Sequence, residues 1–433
     1  YSIFINIKYL FCLYFLNITE YSLPNNHTNL RQSKTKIIHL VGSLNPGGVQ
    51  TYILNVSRYD TTYNIEREVW TLYQKRGLLA DEFLKNSIRV LSCLIIPQDR
   101  NWKPYILWKR LRNIAGFFYF FRFFIKLKGT KPSLIILDEP TRILTHFTVS
   151  KLLNIPIVWN IHAEKSLVKN KRIFKWMYKY YLKNNLTVIS DSKYVLLKNL
   201  SYMKDFFCPD FESIPIVHAT VNLNKFLSIN KRTSINNLKQ DSITLGSIGR
   251  LNWAKGYNLL IEALFKIREE YPRFSLKIAG DGPYRNMLEN MIDKYYLRKN
   301  IIILGELHYD EIPTFLSSID IYVQPSISEG SPITIKEAMA SALPILASTA
   351  GGIPEIIEHD NTGILFKSGN RVELVKGLRK MIAMNRSHRK KMGFRARKSS
   401  LESFDIQKTA KRLNNIYHAI LKNNSKKSDL FLK

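Results

Sequence analysis

The sequence predicts an α/β fold of two doubly wound domains in tandem, facing each other across a cleft. Three observations carry this. At 433 residues the chain is too long for one ordinary core, and two domains are the natural division. Short apolar runs rich in β-branched residues alternate with helix-length segments in both halves, as parallel strands covered by helices on both faces require. Between the halves, LSINKRTSINNLKQD (227–241) is polar and lacks an apolar period, as a linker does. A hydrophobic fraction of 45% suffices to fill two such cores and argues against wholesale disorder.

Taken in order, the chain opens with YSIFINIKYLFCLYFLNI, apolar but interrupted by Asn6 and Lys8, and short for a membrane span of ~20 apolar residues. Residues 1–35 are expected outside the fold, disordered or in weak membrane contact; position 1 is Tyr, so the native start is left open. The first domain, 36–226, should carry strands at IIHLV (37–41), EVWTLY (68–73), IRVLSCLII (88–96), SLIIL (133–137), PIVWNI (156–161), LTVIS (186–190) and IPIVH (214–218). The second, 242–402, should carry them at ITLGSIG (243–249), FSLKIAG (274–280), NIIILG (300–305), IDIYVQP (319–325) and PILAS (344–348). A C-terminal helical piece, 403–423, is long enough to pack back toward the first domain. No internal repeat interrupts this order.

Composition narrows the partners. A formal charge of +31 calls for an acidic one: nucleic acid, anionic lipid or a phosphorylated substrate, unless it reflects only a Lys-, Ile- and Asn-rich composition. No nucleic-acid-binding motif emerges and the charge is spread along the chain, so nucleic acid is not expected as a partner. Segment AGFFYFFRFFIKLKG (115–129) is aromatic with interleaved basic residues; it reads either as a membrane-surface patch or as a helix buried against the first sheet. The three cysteines, Cys12, Cys93 and Cys208, fit neither a disulfide framework nor a zinc site, which points to a reducing compartment.

Chemistry concentrates where strands end and glycines follow. In LVGSLNPGGVQTYILN (40–55), Gly47 and Gly48 would let backbone amides approach a ligand, although an ordinary tight turn reads equally well and G-x-G-x-x-G is absent. In GSIGRLNWAKGYNLLIEAL (246–264), Arg250 and Lys255 follow a strand, as cations suited to a diphosphate or, equally, to surface salt bridges. At ~4 Å and an effective dielectric near 20, each such pair is worth about 4 kcal/mol before desolvation. IAGDGPYRNML (278–288) and PILASTAGGIPEII (344–357) are further strand–glycine–helix junctions. In SEGSPITIKEA (328–338), Ser331 suits an N-cap and Pro332 the first helical position, with Ile335, Ala338, Met339 and Ala342 as the buried stripe. Glu337 lies off that stripe and Glu329 in the preceding loop, with free helix-start amides between them.

In this order, GGVQTYILN, VWNIHAE, VISDSKYV, VHATVNLNKF, IGRLNWAKG, AGDGP and SEGSPITIKEAMASALPILASTAGGIPEIIEHDNTGILF make the chain resemble the retaining glycosyltransferases of the GT4 family, whose GT-B fold pairs two Rossmann-like domains. The resemblance runs from about Lys36 to Asn423, with Glu329 and Glu337 as the family's E-x7-E pair. It implies transfer of a sugar from a nucleotide diphosphate sugar, UDP- or GDP-linked, with no cofactor and no metal. Glu337 would hold the ribose hydroxyls, and Glu329 would meet the donor sugar. Arg250 and Lys255 would neutralise the diphosphate, helped by the amides of Gly330, Ser331, Ile333 and Thr334. His162 would face the sugar or the acceptor, Gly47 and Gly48 would approach the donor phosphate, and Glu306 and Leu307 would frame the base. Gln50, where many relatives have Glu, and Ser331, in place of an aromatic or small apolar residue, blur the identity of donor and acceptor.

The expected acceptor is a glycan or lipid-linked glycan of a surface-polysaccharide pathway. The expected location is cytoplasmic, peripheral at the inner face of the cytoplasmic membrane, with an anionic lipid surface as a further partner. A sugar-nucleotide epimerase of the same architecture is the alternative enzyme; a basic nucleic-acid-binding protein and a two-lobed binding protein are the alternatives without catalysis.

Overall fold

The computed structural model describes residues 20–21, 35–42, 44, 48–59, 65–71, 79–92, 112–138, 143–162, 186–203, 214–227 and 242–431. The chain divides into two compact units: Tyr1–Ser190 with Asn199–Pro215 and Ala410–Lys433, and Asp191–Lys198 with Ile216–Thr409.

In the first unit the strands are β1 (Glu20–Tyr21), β2 (Thr35–Val41), β3 (Ile65–Thr71), β4 (Arg89–Ser92), β5 (Leu134–Leu137), β6 (Ile157–Ile161) and β7 (Leu186–Ser190). They form one sheet in the order β1-β4-β3-β2-β5-β6-β7, parallel except where β1 runs antiparallel to β4. In the second unit β8 (Ile243–Ile248), β9 (Phe274–Ala279), β10 (Ile301–Gly305), β11 (Ile321–Gln324), β12 (Ile345–Ser348) and β13 (Gly363–Phe366) pair in the order β10-β9-β8-β11-β12-β13, all parallel. Among the parallel strands both orders reverse once, between β2 and β5 and between β8 and β11. At such a switch point the loops leaving the carboxyl ends diverge and open a crevice for ligands.

The strands are continuous apolar runs because helices cover both faces: β5, β6, β11 and β12 are buried along their whole length. Edge strand β10 differs, with Ile302 53% and Leu304 41% exposed. Helix Tyr257–Ile267 buries Tyr257, Leu260, Ile261, Ala263, Leu264 and Ile267, a stripe at helical spacing that packs into the second core. Asn370 and Asn385 cap the helices Arg371–Ala383 and Arg386–Ser403 by accepting from Glu373 N and His388 N.

Several details differ from the sequence reading. IPIVH (214–218) forms no named strand: Pro215 donates nothing to a ladder, and its carbonyl accepts from Ser190 N at 3.1 Å, closing the end of β7. GILF (363–366), not expected as a strand, is β13. Glu20–Tyr21 pair as β1 inside the segment set outside the fold, too short to carry a period, and β2 starts at Thr35. The last helix runs Ile406–Phe431, past the expected end at 423. Of the expected linker only Leu227 lies within the described residues, ending helix Leu223–Leu227. The aromatic segment lies in helix Arg112–Thr130, with Tyr119, Phe123 and Leu127 buried at intervals of four and Phe123 edge-on to Trp70 of β3. Phe121 and Ile125 of the same helix are 47% and 60% exposed. No helix among the described residues is long and apolar enough to cross a membrane.

Candidate functional site

In the second unit the loops leaving β8, β11 and β12 are fastened to one another. Ile327 N and Ser328 N donate to Ala254 O at 2.7 and 3.2 Å, and Gly352 N donates to Gly330 O at 3.0 Å. The approach is closer than a side chain would permit. Gly256 has φ +65°, and a Cβ there would lie 2.1 Å from Pro325 O; Gly351 has φ +60°, and a Cβ there would lie 1.9 Å from Glu329 O. Glycine alone fits both positions.

This fastening places Lys255, in the turn Trp253–Lys255, with its Nζ 2.5 Å from Glu329 Oε1. The same oxygen accepts from Ser326 Oγ at 2.6 Å and from Gln324 Nε2 at 2.9 Å. Gln324, fully buried at the end of β11, is itself held by Tyr322 OH donating to its Oε1 at 2.7 Å. Three donors converge on Oε1, and none of these bonds reaches Oε2. Arg250 is exposed in the same loop as Lys255.

Helix Ile333–Ala340 begins beside Glu329. Its cap position is held by Pro332, in extended conformation, and Ser331 caps nothing, one residue away from the sequence reading. Ser331 Oγ turns instead to Lys336, which is fully buried and whose Nζ donates at 2.7 Å to both Ser331 Oγ and Ala219 O. Burial lowers the Lys336 ammonium to about 7, against the raising effect of Asp191 and Glu355. The amides of Ile333 and Thr334 open the helix without intrahelical acceptors. Glu337 is 2% exposed, although it lies off the apolar stripe, and no hydrogen bond reaches its carboxylate among the described residues. Burial raises it to about 7, with Lys225 pulling the other way.

Glu306, exposed, and Leu307, half-buried, follow β10 two strands from β8, where Gly280 N donates to Gly305 O at 2.6 Å. Lys255, Glu329, Gly330, Ser331, Ile333, Thr334 and Glu337 are thus gathered around one helix start, and Arg250 lies five residues before Lys255 in the same loop. Sequence reasoning missed Gln324, Ser326, Tyr322 and Lys336. A glutamine closing the otherwise apolar IYVQ was the one available sign, since a buried amide needs partners.

In the first unit, Gly48 opens helix Gly48–Arg58 and is exposed, while Gly47 lies outside the described residues. His162 follows β6. Its Nε2 is 3.0 Å from Asp138 Oδ1, and its ring meets that of Tyr52 edge-on at 5.3 Å. Asn160 Nδ2 donates to the same Asp138 oxygen at 3.0 Å. Burial pushes the Asp138 carboxyl up, but interaction with His39 and hydrogen bonds from His162 and His39 prevail and hold it at about 2. Asp138, just beyond β5, was not foreseen. Among the described residues no set of three His, Cys, Asp or Glu side chains is placed to hold a metal.

Residues 228–399 match the family described as Glycosyl transferases group 1. Over 296 residues the chain is 26% identical to the sulfoquinovosyl transferase of Arabidopsis thaliana, covering 66% of this chain and 56% of that protein. Over 197 residues it is 32% identical to an uncharacterized glycosyltransferase of Methanocaldococcus jannaschii, covering 46% and 50%. The chain spans about half the length of these curated relatives. Its fold is similar to that of HepE from Anabaena in complex with UDP-glucose, with a TM-score of 0.70 and 18% identity over 89% of this chain and 99% of that one.

Proposed function

We propose that this chain, GT-B in fold and GT4 in type, with residues 228–399 belonging to the group 1 glycosyltransferases, moves a sugar from a nucleotide diphosphate sugar to an acceptor hydroxyl. One observation carries the reading. Around a single helix start stand a carboxylate with one oxygen saturated and one open, Glu329; a cation bonded to it, Lys255; and a buried carboxylate with no hydrogen bond, Glu337. Ile333 and Glu337 are four residues apart on the helix, a rise of ~6 Å, about what a phosphate and its ribose need.

Breaking the sugar–phosphate bond builds negative charge on the leaving diphosphate and positive character on the anomeric carbon. Arg250, Lys255 and the amides of Ile333 and Thr334 stabilise the former as preorganised electrostatics, without a metal. The open oxygen of Glu329 takes hydroxyls of the donor sugar, and Glu337 takes the ribose diol. Glu306 and Leu307 border the base. In the first unit, His162 serves the sugar or the incoming hydroxyl. The acceptor attacks from the face of the departing phosphate, whose oxygen takes its proton, so the anomeric configuration is retained. Two carboxylates with a water between them would serve hydrolysis instead; the helix start between Glu329 and Glu337 suits a diphosphate better.

The donor is a UDP- or GDP-sugar, and the complex of HepE with UDP-glucose supports the former. The acceptor is a glycan or lipid-linked glycan at the inner face of the cytoplasmic membrane, supported by the +31 charge and by the exposed Phe121 and Ile125 in a helix that also carries Lys126 and Lys128. Thermal shift with a panel of nucleotide sugars tests the reading. A donor at 100 times its Kd stabilises by about 2.7 kcal/mol. The reading fails if no nucleotide sugar raises Tm, or if incubation without acceptor yields an isomerised sugar nucleotide.

A further inference from the structure

We infer that Arg67, His39 and Asp138 form a buried relay that holds His162 as its Nε2–H tautomer, which makes Asp138 and Arg67 positioning residues for the transfer reaction proposed above. The relay takes one residue from each of four neighbouring strands: Arg67 lies on β3, His39 on β2, Asp138 just beyond β5 and His162 just beyond β6. Arg67, His39 and Asp138 are 6%, 3% and 2% exposed, and the His162 side chain 7%.

Hydrogen-bond directions follow from the one member that cannot accept. A guanidinium offers only N–H donors. Arg67 Nη1 is 3.2 Å from His39 Nε2, so that nitrogen accepts and carries no proton. His39 is then neutral with its proton on Nδ1, in keeping with the lowering that burial imposes on this ring against the pull of Asp138. Nδ1 lies 2.8 Å from Asp138 Oδ2 and donates to it. The carboxylate, held ionised, accepts at its other oxygen from His162 Nε2 and from Asn160 Nδ2, both at 3.0 Å. His162 therefore keeps a proton on Nε2, and in the neutral ring the basic nitrogen is Nδ1. The far end of the relay is anchored. Arg67 Nη2 donates to Asn414 Oδ1 at 3.0 Å, Asn414 is fully buried in the last helix, and the guanidinium lies 6.0 Å from the Tyr417 ring of the same helix.

The chain of directions has a consequence that a merely structural ion pair lacks. In Asp138→Asn, a substitution of nearly the same shape, His39 still presents an N–H because Arg67 still occupies its Nε2. The new amide turns its oxygen to His39 and its NH2 to His162, and Asn160 turns its own amide so that its Oδ1 accepts from that NH2. His162 Nε2 then becomes an acceptor, and its proton moves to Nδ1. In Asp138→Asn combined with Arg67→Gln, whose amide both donates and accepts, His39 is released and either tautomer of His162 is permitted.

The experiment is histidine-selective 15N NMR on the full chain, reading which ring nitrogen of His162 carries the proton, beside steady-state transfer from a nucleotide sugar. The expected results are Nε2–H in the wild type, Nδ1–H in Asp138→Asn and a mixture in the double variant, with turnover in Asp138→Asn reduced roughly tenfold, the worth of one misdirected hydrogen bond. A His162 that stays Nε2–H in Asp138→Asn, or a wild-type His162 without a fixed tautomer, overturns the relay. An inverted tautomer with unchanged turnover overturns the positioning role. The NMR result needs no donor, so failure of the relay and failure of the proposed activity are read separately.

Discussion

Lys255 and Glu329, 74 positions apart, meet at 2.5 Å because the turn after β8 is clamped beneath the loop after β11. Both side chains are mostly buried, 19% and 10% exposed, so each charge depends on the other more than a surface pair would. In the reaction proposed above, the pair orients the open oxygen of Glu329 and holds the ammonium where the diphosphate would arrive. Lys255→Met and Glu329→Gln are each expected to lower kcat/KM roughly 100-fold, in line with charged hydrogen bonds of about 1.5–3 kcal/mol. The double variant should cost clearly less than the product of the two, since each single change already disables the shared unit. Multiplicative losses in a double-mutant cycle would mean that the two residues act apart.

Gly351→Ala tests the clamp itself. The added Cβ would sit 1.9 Å from Glu329 O at a backbone angle, φ +60°, that alanine resists. Gly369 is the matched control: its φ is +74° and nothing lies within 4 Å of its would-be Cβ. Both variants carry the left-handed penalty of about 1–2 kcal/mol, but only Gly351→Ala must displace the Glu329 backbone. Expected outcomes are a fall in Tm of a few degrees for Gly369→Ala with donor binding intact, and a larger fall for Gly351→Ala with donor binding weakened at least tenfold. Calorimetry and donor titration read both; equal behaviour of the two variants counts against the clamp.

These residues also mark what could be read before any coordinates. The alternation of strands and helices is plain in the sequence because buried parallel strands are unbroken apolar runs, and Glu329 and Glu337 stand out as candidates because eight positions separate them in one motif. What escaped depended on the third dimension. Gln324 and Ser326 reach Glu329 only because a loop folds back over the end of β11. Ser331 was read as a cap because nothing in the sequence says that Lys336 will be buried and claim its hydroxyl. His39 and Asp138 are 99 positions apart, and Arg67 and Asn414 are 347 apart; only the strand order and the last helix bring them together. IPIVH failed as a strand for a local reason, its proline, which composition alone underweights.

Lys336 gives a stability prediction with a definite sign. Folding lowers its ammonium from 10.5 to about 7, chiefly by burial. Between those values the unfolded chain holds a proton that the folded unit has released, so raising the pH favours folding; below about 7 the folded unit bears a buried charge and the contribution is lost. Lys336→Met, of similar length and apolar, removes this dependence while leaving Ser331 Oγ and Ala219 O without their donor. Tm of the wild type should climb relative to Lys336→Met between pH 7 and 9.5. Parallel curves would show that Lys336 is charged in the folded unit throughout.

Glu337 carries the opposite slope and links it to binding. Burial raises its carboxyl from 4.5 to about 7, opposed by Lys225, so its stabilising contribution is complete below 4.5 and lost as pH rises through about 7. A ribose diol offers two O–H donors, which only the ionised carboxylate can accept together. Donor binding should therefore expel a proton below pH 7, and affinity should fall by up to about tenfold per pH unit as the medium becomes more acid. A nucleotide sugar is the right probe, because its diphosphate has no ionisation of its own in this range. Calorimetric titration at pH 6 and 8, in buffers of different protonation enthalpy, should show proton release at pH 6 and little at pH 8. Glu337→Gln should bind more weakly at pH 8 and lose the pH dependence. A wild-type affinity that is flat from pH 6 to 8 would place the ribose elsewhere than on Glu337.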